Sequence, residues 1–415
     1  MPTDDIPMPS TGAVRRALRE TTERIAAELA SPSSEAPDWS EFEWRVAMAV
    51  AVMHGVSALL AGRLRWQGAQ VWNKFLAEQK EQGKLRLRRT RQLLSDIDAA
   101  AKLAQVPLVA LKGSALLDLE LYAAGERPMS DIDLLSFDRD MELAGRLIES
   151  IGFAEGLTTW REREYLPLDT SRERVFGEHI DNPVKIELHG RILEHLPVRD
   201  TVITEEIIQP DAKAGLNRYP SLGVLMRHLL LHAAGNMCFQ GVRLIHLHDI
   251  SVLAERLSVE DWRQALRVGF DRQRPWWMLP PLALVNKYFP GRIPTTVLSQ
   301  SAALCPPLLR WVSMRYDLVH VSLSKLGTPL LPGLEWSGSV TEACTCIAAR
   351  IYPGREVSAF NEKIASRQHA VLGSTWAGQT RFQRALRLAL GQAQRPQTLY
   401  SIRQALIYSP ASRPC

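Results

Sequence analysis

The sequence lacks the marks of an exported or membrane-borne protein. Residues 1–10, MPTDDIPMPS, are acidic and proline-rich, with neither a basic leader nor an apolar core, so no secretory signal is expected there. Long apolar runs are missing as well. The best candidate, residues 46–60 (VAMAVAVMHGVSALL), carries His54, Gly55 and Ser57 and stops short of the ~20 apolar residues that a spanning helix needs. It predicts a buried core helix instead. Cysteine is sparse: five in 415 residues, an odd count without framework spacing, which excludes a disulfide-built scaffold. Cys344 and Cys346 form a lone pair without neighbouring ligands and read as incidental. There is no internal repeat and no low-complexity tract. The chain reads as cytoplasmic and reduced.

What is present is length, a mild positive charge and clear periodicity. A chain of 415 residues is long for one compact domain, and two or three packed units are expected. A net charge of +5 and a pI near 9.0 suit anionic substrates without singling out nucleic acid. Residues 13–29 are helical in composition. Ser40 and Glu43 have capping-box spacing at the head of a helix running to about residue 65. A long helix over residues 71–103 carries an apolar stripe through Trp72, Phe75, Leu76, Leu87, Leu94 and Ile97. Its basic middle (Lys84, Arg86, Arg88, Arg89, Arg91) reads as a solvated face, with a phosphate contact as the alternative. A helix over 139–150, capped by Asp138, leads to one or two strands in 153–168 and then a hairpin with arms at 174–180 and 184–192. From about residue 201 the pattern is helical. The expected divisions are an N-terminal helical region (1–103), a central core (104–195), a helical lobe (196–325) and a loop with a C-terminal helical segment (326–415).

Residues 106–137 organise the rest. An apolar run ends abruptly in Lys112-Gly113-Ser114; a helix-compatible segment and a turn with Arg127 follow, and then Asp131 and Asp133 alternate with Ile132 and Leu134. Alternate residues of a strand share a face, so both aspartates point one way and the apolar pair enters the core. Adjacent carboxylates repel unless a cation sits between them, and a divalent metal is the usual one. In the later strand Lys185, Glu187, His189 and Arg191 likewise share one face. Taken singly, a Gly-Ser turn or an Asp-x-Asp pair is ordinary. Their order and company point to a site.

The pattern LKGS, Arg127, DIDLL and IELH resembles the polymerase-β-like nucleotidyltransferase superfamily, and most nearly its bacterial branch of uncharacterised nucleotidyltransferases. The likeness is strong over about residues 103–191 and weaker to about 257. It implies an α+β fold: a small mixed-sheet core with N-terminal helices and a C-terminal all-α lobe, and an active site in the cleft between core and lobe. It also implies Mg2+-dependent transfer of a nucleoside monophosphate from an NTP to an acceptor hydroxyl, with pyrophosphate released. Gly113 and Ser114 would cradle the triphosphate, with Lys112 and Arg127 as further phosphate contacts. Asp131, Asp133 and Glu187 would hold Mg2+, with Mn2+ the alternative metal; Glu178 and Asp181 are rival third acids. His189, His232 and Asp249 are candidates for substrate contact. A small molecule, peptide or protein is favoured over RNA as acceptor.

Two other classes compete. His228 and His232 stand one helical turn apart, and His246, His248 and Asp249 follow, a set that suggests an HD-type metal phosphohydrolase. The chain could also be a non-catalytic member that binds a nucleotide or a partner. Trp276-Trp277 offers base stacking against a core role, and the basic amphipathic segment 381–390 offers membrane-surface contact against a solvated face.

Overall fold

The computed structural model describes residues 8–159, 162–169, 174–197, 199–267, 275–328, 331–351, 383, 386–387 and 393–410. Helix α1 (Thr11–Ala30) starts where the Ser10 hydroxyl accepts from the Ala13 N–H. Helix α2 (Glu41–Met53) has the expected capping box: Ser40 accepts from the Glu43 N–H, and the Glu43 carboxylate accepts from the Ser40 N–H. The apolar stretch 46–60 is buried, but it is not one helix. Gly55, at φ +67°, breaks it, and α3 (Ser57–Arg63) leaves at 111° to α2. No single helix among the described residues is long and apolar enough to cross a membrane.

Helix α4 (Gln70–Leu103) spans 34 residues and underlies the sheet. Its basic middle is not simply a solvated face. Arg86 is fully buried; it pairs with Glu178 at 3.0 Å and donates to the carbonyls of Met129, His179 and Asn182 at 2.7–2.9 Å. Arg89 donates to the Ile180 carbonyl, while Gln79 and Gln82 accept from the N–H groups of Glu178 and Ile180. The stretch 174–184 is therefore a loop laced to α4, not the first arm of a hairpin. Many of its backbone groups bond to side chains in place of a ladder partner.

The main sheet has six strands in the order β3-β4-β5-β2-β1-β8: β1 (Pro107–Ala110), β2 (Asp131–Leu135), β3 (Phe153–Thr158), β4 (Arg163–Pro167), β5 (Lys185–His189) and β8 (Gly215–Asn217). Strands β2 and β5 are parallel neighbours, and β1 is antiparallel to β2 but parallel to β8. Between β2 and β3 lie a 3-10 turn (Asp138–Asp140) and helix α6 (Met141–Ser150), so Asp138 sits inside a turn and does not cap the helix. Ile132, Leu134, Ile186 and Leu188 join Ile97 of α4 and Ile148 of α6 in one apolar cluster. That burial fixes one face of the sheet and turns the acidic face the other way.

A second hairpin, β6 (Leu193–Leu196) with β7 (Arg199–Val202), follows β5. Together with β8, it shows that residues after 201 are not purely helical as expected. The short helices α5 (Gly113–Asp118) and α7 (Thr204–Ile207) fill connections. The lobe comprises α8 (Leu222–Cys238), α9 (Leu244–Ala254), α10 (Val259–Ala265), α11 (Leu279–Tyr288), α12 (Thr295–Leu304) and α13 (Pro307–Ser313). Its core is continuous with α1 and α2 and takes in Trp276, Trp277 and Trp336, so the tandem tryptophans are core residues. Helices α14 (Val340–Ile351) and α15 (Pro396–Ile407) complete the described structure, and α15 packs on α2. Cys344 is exposed and Cys346 buried, both as free thiols. The basic segment 381–390 lies almost wholly outside the described residues. The fold class is α+β with helices at both ends.

Candidate active site

Strand β1 delivers the chain to Lys112, whose φ of 47° and ψ of −113° turn it sharply into α5. This backbone region is one that L-residues avoid. The turn is held from below, because the Leu111 N–H donates to the Asp133 carbonyl at 2.9 Å. Gly113 opens α5 under close contact: a Cβ there would lie 2.7 Å from Met129 Sδ and 3.2 Å from the Arg127 guanidinium. Ser114 is buried, with its hydroxyl 4.0 Å from Met129 Sδ.

The acidic groups come from the β2–β5 register, which sets Asp131 beside Lys185, Asp133 beside Glu187 and Leu135 beside His189. Across β4, Glu164 stands opposite Glu187, so a row of three carboxylates crosses the sheet. Two cations temper it. Lys112 Nζ donates to Asp133 Oδ1 at 2.9 Å, and Lys185 pairs with Glu187 and lies 3.8 Å from Glu164. His189 Nε2 lies 3.2 Å from Asp133 Oδ1.

These neighbours divide the acids. Burial alone would raise the Asp133 carboxyl, but Lys112 and then His189 hold it well below the usual range. Burial works against the Lys112 ammonium too, yet Asp133 pushes it up to about 12. Glu187 goes the other way. Burial, then the charges of Asp133 and Glu162, push it up to about 7 against the pull of Lys185.

Asp133, Glu187 and His189 each offer a ligand atom within 4.8 Å of the others, the metal-type cluster among the described residues. Two carboxylate oxygens and an imidazole nitrogen form a donor set that fits a divalent cation. Asp131 stands two register positions away, on the same face.

The opposite wall belongs to the lobe. Arg127, in the loop before β2, forms a forked pair with Asp249 of α9: Nε to Oδ1 at 2.9 Å and Nη2 to Oδ2 at 2.8 Å. The Tyr122 hydroxyl donates to the same carboxylate at 2.6 Å and meets His248 Nδ1 at 3.0 Å. Between the walls is a cavity of about 260 Å³ lined by Lys112, Gly113, Arg127, Asp131, Asp133 and Glu187 from the core side, and by His232, Asn236, Arg243, His246 and Asp249 from the lobe. Ser114 and His189 do not line it. Glu178 does, while paired with Arg86; Asp181 turns to His179 at 3.6 Å.

Residues 40–270, more than half of the chain, match the model of a family described as an uncharacterised nucleotidyltransferase. The chain belongs to this family. No curated protein and no solved structure matches it. The matched span begins at the Ser40 cap of α2 and runs past α10, so it includes both walls of the cavity. Membership points to nucleotidyl transfer as the general activity, with an NTP as the substrate class the family implies.

The rival histidine set does not assemble. His228 Nδ1 lies 2.6 Å from the Tyr219 hydroxyl, and His248 meets Tyr122. His232 lies against Asn236 and Glu194, and Asp249 is taken by Arg127. Burial holds His228, His246 and His248 well below the ordinary histidine range, His248 at about 4. Sequence reasoning missed Arg243, Asn236, Tyr122 and Glu164 as neighbours of the site, and named His246 only in the rival metal set. The one available signal was polar residues recurring on otherwise apolar helices, as in RLIHLHD.

Proposed function

We propose that this cavity binds an NTP and transfers its nucleoside monophosphate to an acceptor hydroxyl. The observation that carries the reading is the Asp133–Glu187 register pair, with His189 beside it, at the floor of a cavity whose other wall is polar. The acceptor oxygen forms a bond to the α-phosphorus. The bond to the departing pyrophosphate breaks, and its electron pair leaves with the pyrophosphate. Glu187, the register partner of Asp133 on the cavity wall, is the carboxylate that would take the acceptor's proton. Asp131, Asp133 and Glu187 would hold Mg2+ or Mn2+, with His189 as a further ligand; such a cation neutralises phosphate charge and polarises the reacting oxygens. Lys112 and the Gly113 backbone, which both line the cavity, would support the phosphate end. Arg127 fixes the core to the lobe through Asp249.

Calorimetric titration of each NTP, with and without Mg2+ or Mn2+, into wild type and Asp131→Asn tests the reading. Metal-dependent binding that the substitution weakens is expected, together with pyrophosphate release once an acceptor is supplied. Binding without release under any acceptor would establish the non-catalytic role. Metal binding that depends on His228 and His248 instead would establish the phosphohydrolase.

A further inference from the structure

Two of the cavity's cations already have carboxylate partners: Lys112 pairs with Asp133 and Arg127 with Asp249. A substrate with several negative charges needs a cation that is not so engaged. Arg243, immediately before α9, is that residue. It lines the cavity, its Nε is a buried atom without a hydrogen-bond partner, and it enters no ion pair among the described residues.

Its position is built in. The turn between α2 and α3 lies against the guanidinium, because a Cβ on Gly55 would come within 2.3 Å of Arg243 Nη2 and 3.1 Å of Cζ. Gly55 also has a φ of +67°, so a side chain there would be strained and would have to displace the guanidinium. His54 ties the turn to the start of α9: its Nδ1 accepts from the Leu244 N–H at 3.0 Å, and its carbonyl accepts from the Ile245 N–H at 3.2 Å. The guanidinium is thereby held on the lobe wall, across the cavity from the acidic register pair. His246, Asn236 and His232 beside it supply polar edges to the same wall.

We propose that Arg243 is the triphosphate anchor of this site: its planar fork takes the outer phosphates of the NTP while the acidic wall addresses the α-phosphate. Arginine suits this role through paired N–H groups matched to phosphate oxygens. The inference rests on the nucleotidyl-transfer reading above and adds a residue that holds the outer phosphates.

The test uses inorganic tripolyphosphate, which needs no knowledge of the base, and Mn2+ alone as a control for the acidic wall. The full chain and its Arg243→Gln, Arg243→Lys and Gly55→Ala variants are titrated with each. Arg243→Gln is expected to weaken tripolyphosphate about 10- to 100-fold while Mn2+ affinity is unchanged. Arg243→Lys is expected to recover part of the loss, and Gly55→Ala to weaken tripolyphosphate by displacing the guanidinium. Equal tripolyphosphate affinity in wild type and Arg243→Gln overturns the inference alone. Joint loss of tripolyphosphate and Mn2+ binding in both Arg243 variants overturns it too, because it makes the role structural. A wild type that binds neither tripolyphosphate nor any NTP brings down the nucleotide reading and this inference with it.

Discussion

Asp133 and Glu187 are register partners on parallel strands, yet they hold their protons in opposite ways. Asp133 is kept ionised by Lys112 and His189, whereas Glu187 titrates at about 7. Lys112 and His189 outweigh burial at Asp133, whereas Lys185, paired with Glu187, does not offset burial and the charges of Asp133 and Glu162. This division of labour governs how the protein should respond to pH and to mutation.

Glu187 makes stability fall as pH rises. Its folded value of about 7 lies above the ordinary 4.5, so between those values the folded chain keeps a proton that the unfolded chain gives up. The contribution is intact below the unfolded value and is lost as pH climbs through the folded one. Glu187→Gln is therefore expected to raise the metal-free melting temperature at pH 8 by ~2–5 °C, with the gain gone by about pH 4.5. Thermal melts across that range check it.

The two strand aspartates should separate activity from stability. Asp131→Asn touches a half-buried group and is expected to cost less than about 0.5 kcal/mol. Asp133→Asn leaves the buried Lys112 ammonium unpaired and is expected to cost about 3–5 kcal/mol. Because Asp133 is held below its ordinary value, its stabilising effect is present above that value and fades as pH falls through the folded one. Each variant is expected to lower transfer by ~10³-fold or more. Chemical denaturation beside a pyrophosphate-release assay checks both.

Arg127 and Asp249 join the walls. Removing one partner strands the other as a buried charge, so Arg127→Ala is expected to destabilise by about 3–5 kcal/mol. The paired replacement Arg127→Met with Asp249→Leu should recover most of that stability. A double-mutant cycle by denaturant unfolding is expected to give a coupling above about 1 kcal/mol.

Lys112 combines a needed amine with an unfavourable backbone. Lys112→Ala loses the ion pair and keeps the strained φ; Lys112→Gly loses the ion pair and relieves the strain. The glycine variant is expected to be more stable than the alanine variant by about 1 kcal/mol. Denaturation midpoints of the two decide it.

Much of the architecture was legible because it rests on local rules. The Ser40 capping box, the length of α4 and the alternation of Asp131 and Asp133 with apolar neighbours all follow from residues close in sequence. Local breaks account for the split at Gly55 and the turn at Asp138, and distant partners for the other misreadings. Arg86 looked solvated because the carbonyls of His179 and Asn182 that enclose it lie far along the chain. The same side chains turned a plausible hairpin arm into a loop. Strand β8 has three residues, too few for a period, and exists because β1 offered an edge. The site was half legible: the strand carboxylates announced themselves, whereas Arg243 gained meaning through Gly55, on a different helix turn.

The forked Arg127–Asp249 contact also bears on modularity. Residues 104–195 contain the strand carboxylates but none of α8 or α9, so excising them as a minimal catalyst would yield an acidic surface with nothing facing it. Chimeras within this family are better cut outside the matched 40–270 span, where both banks of the cavity travel as one inheritance.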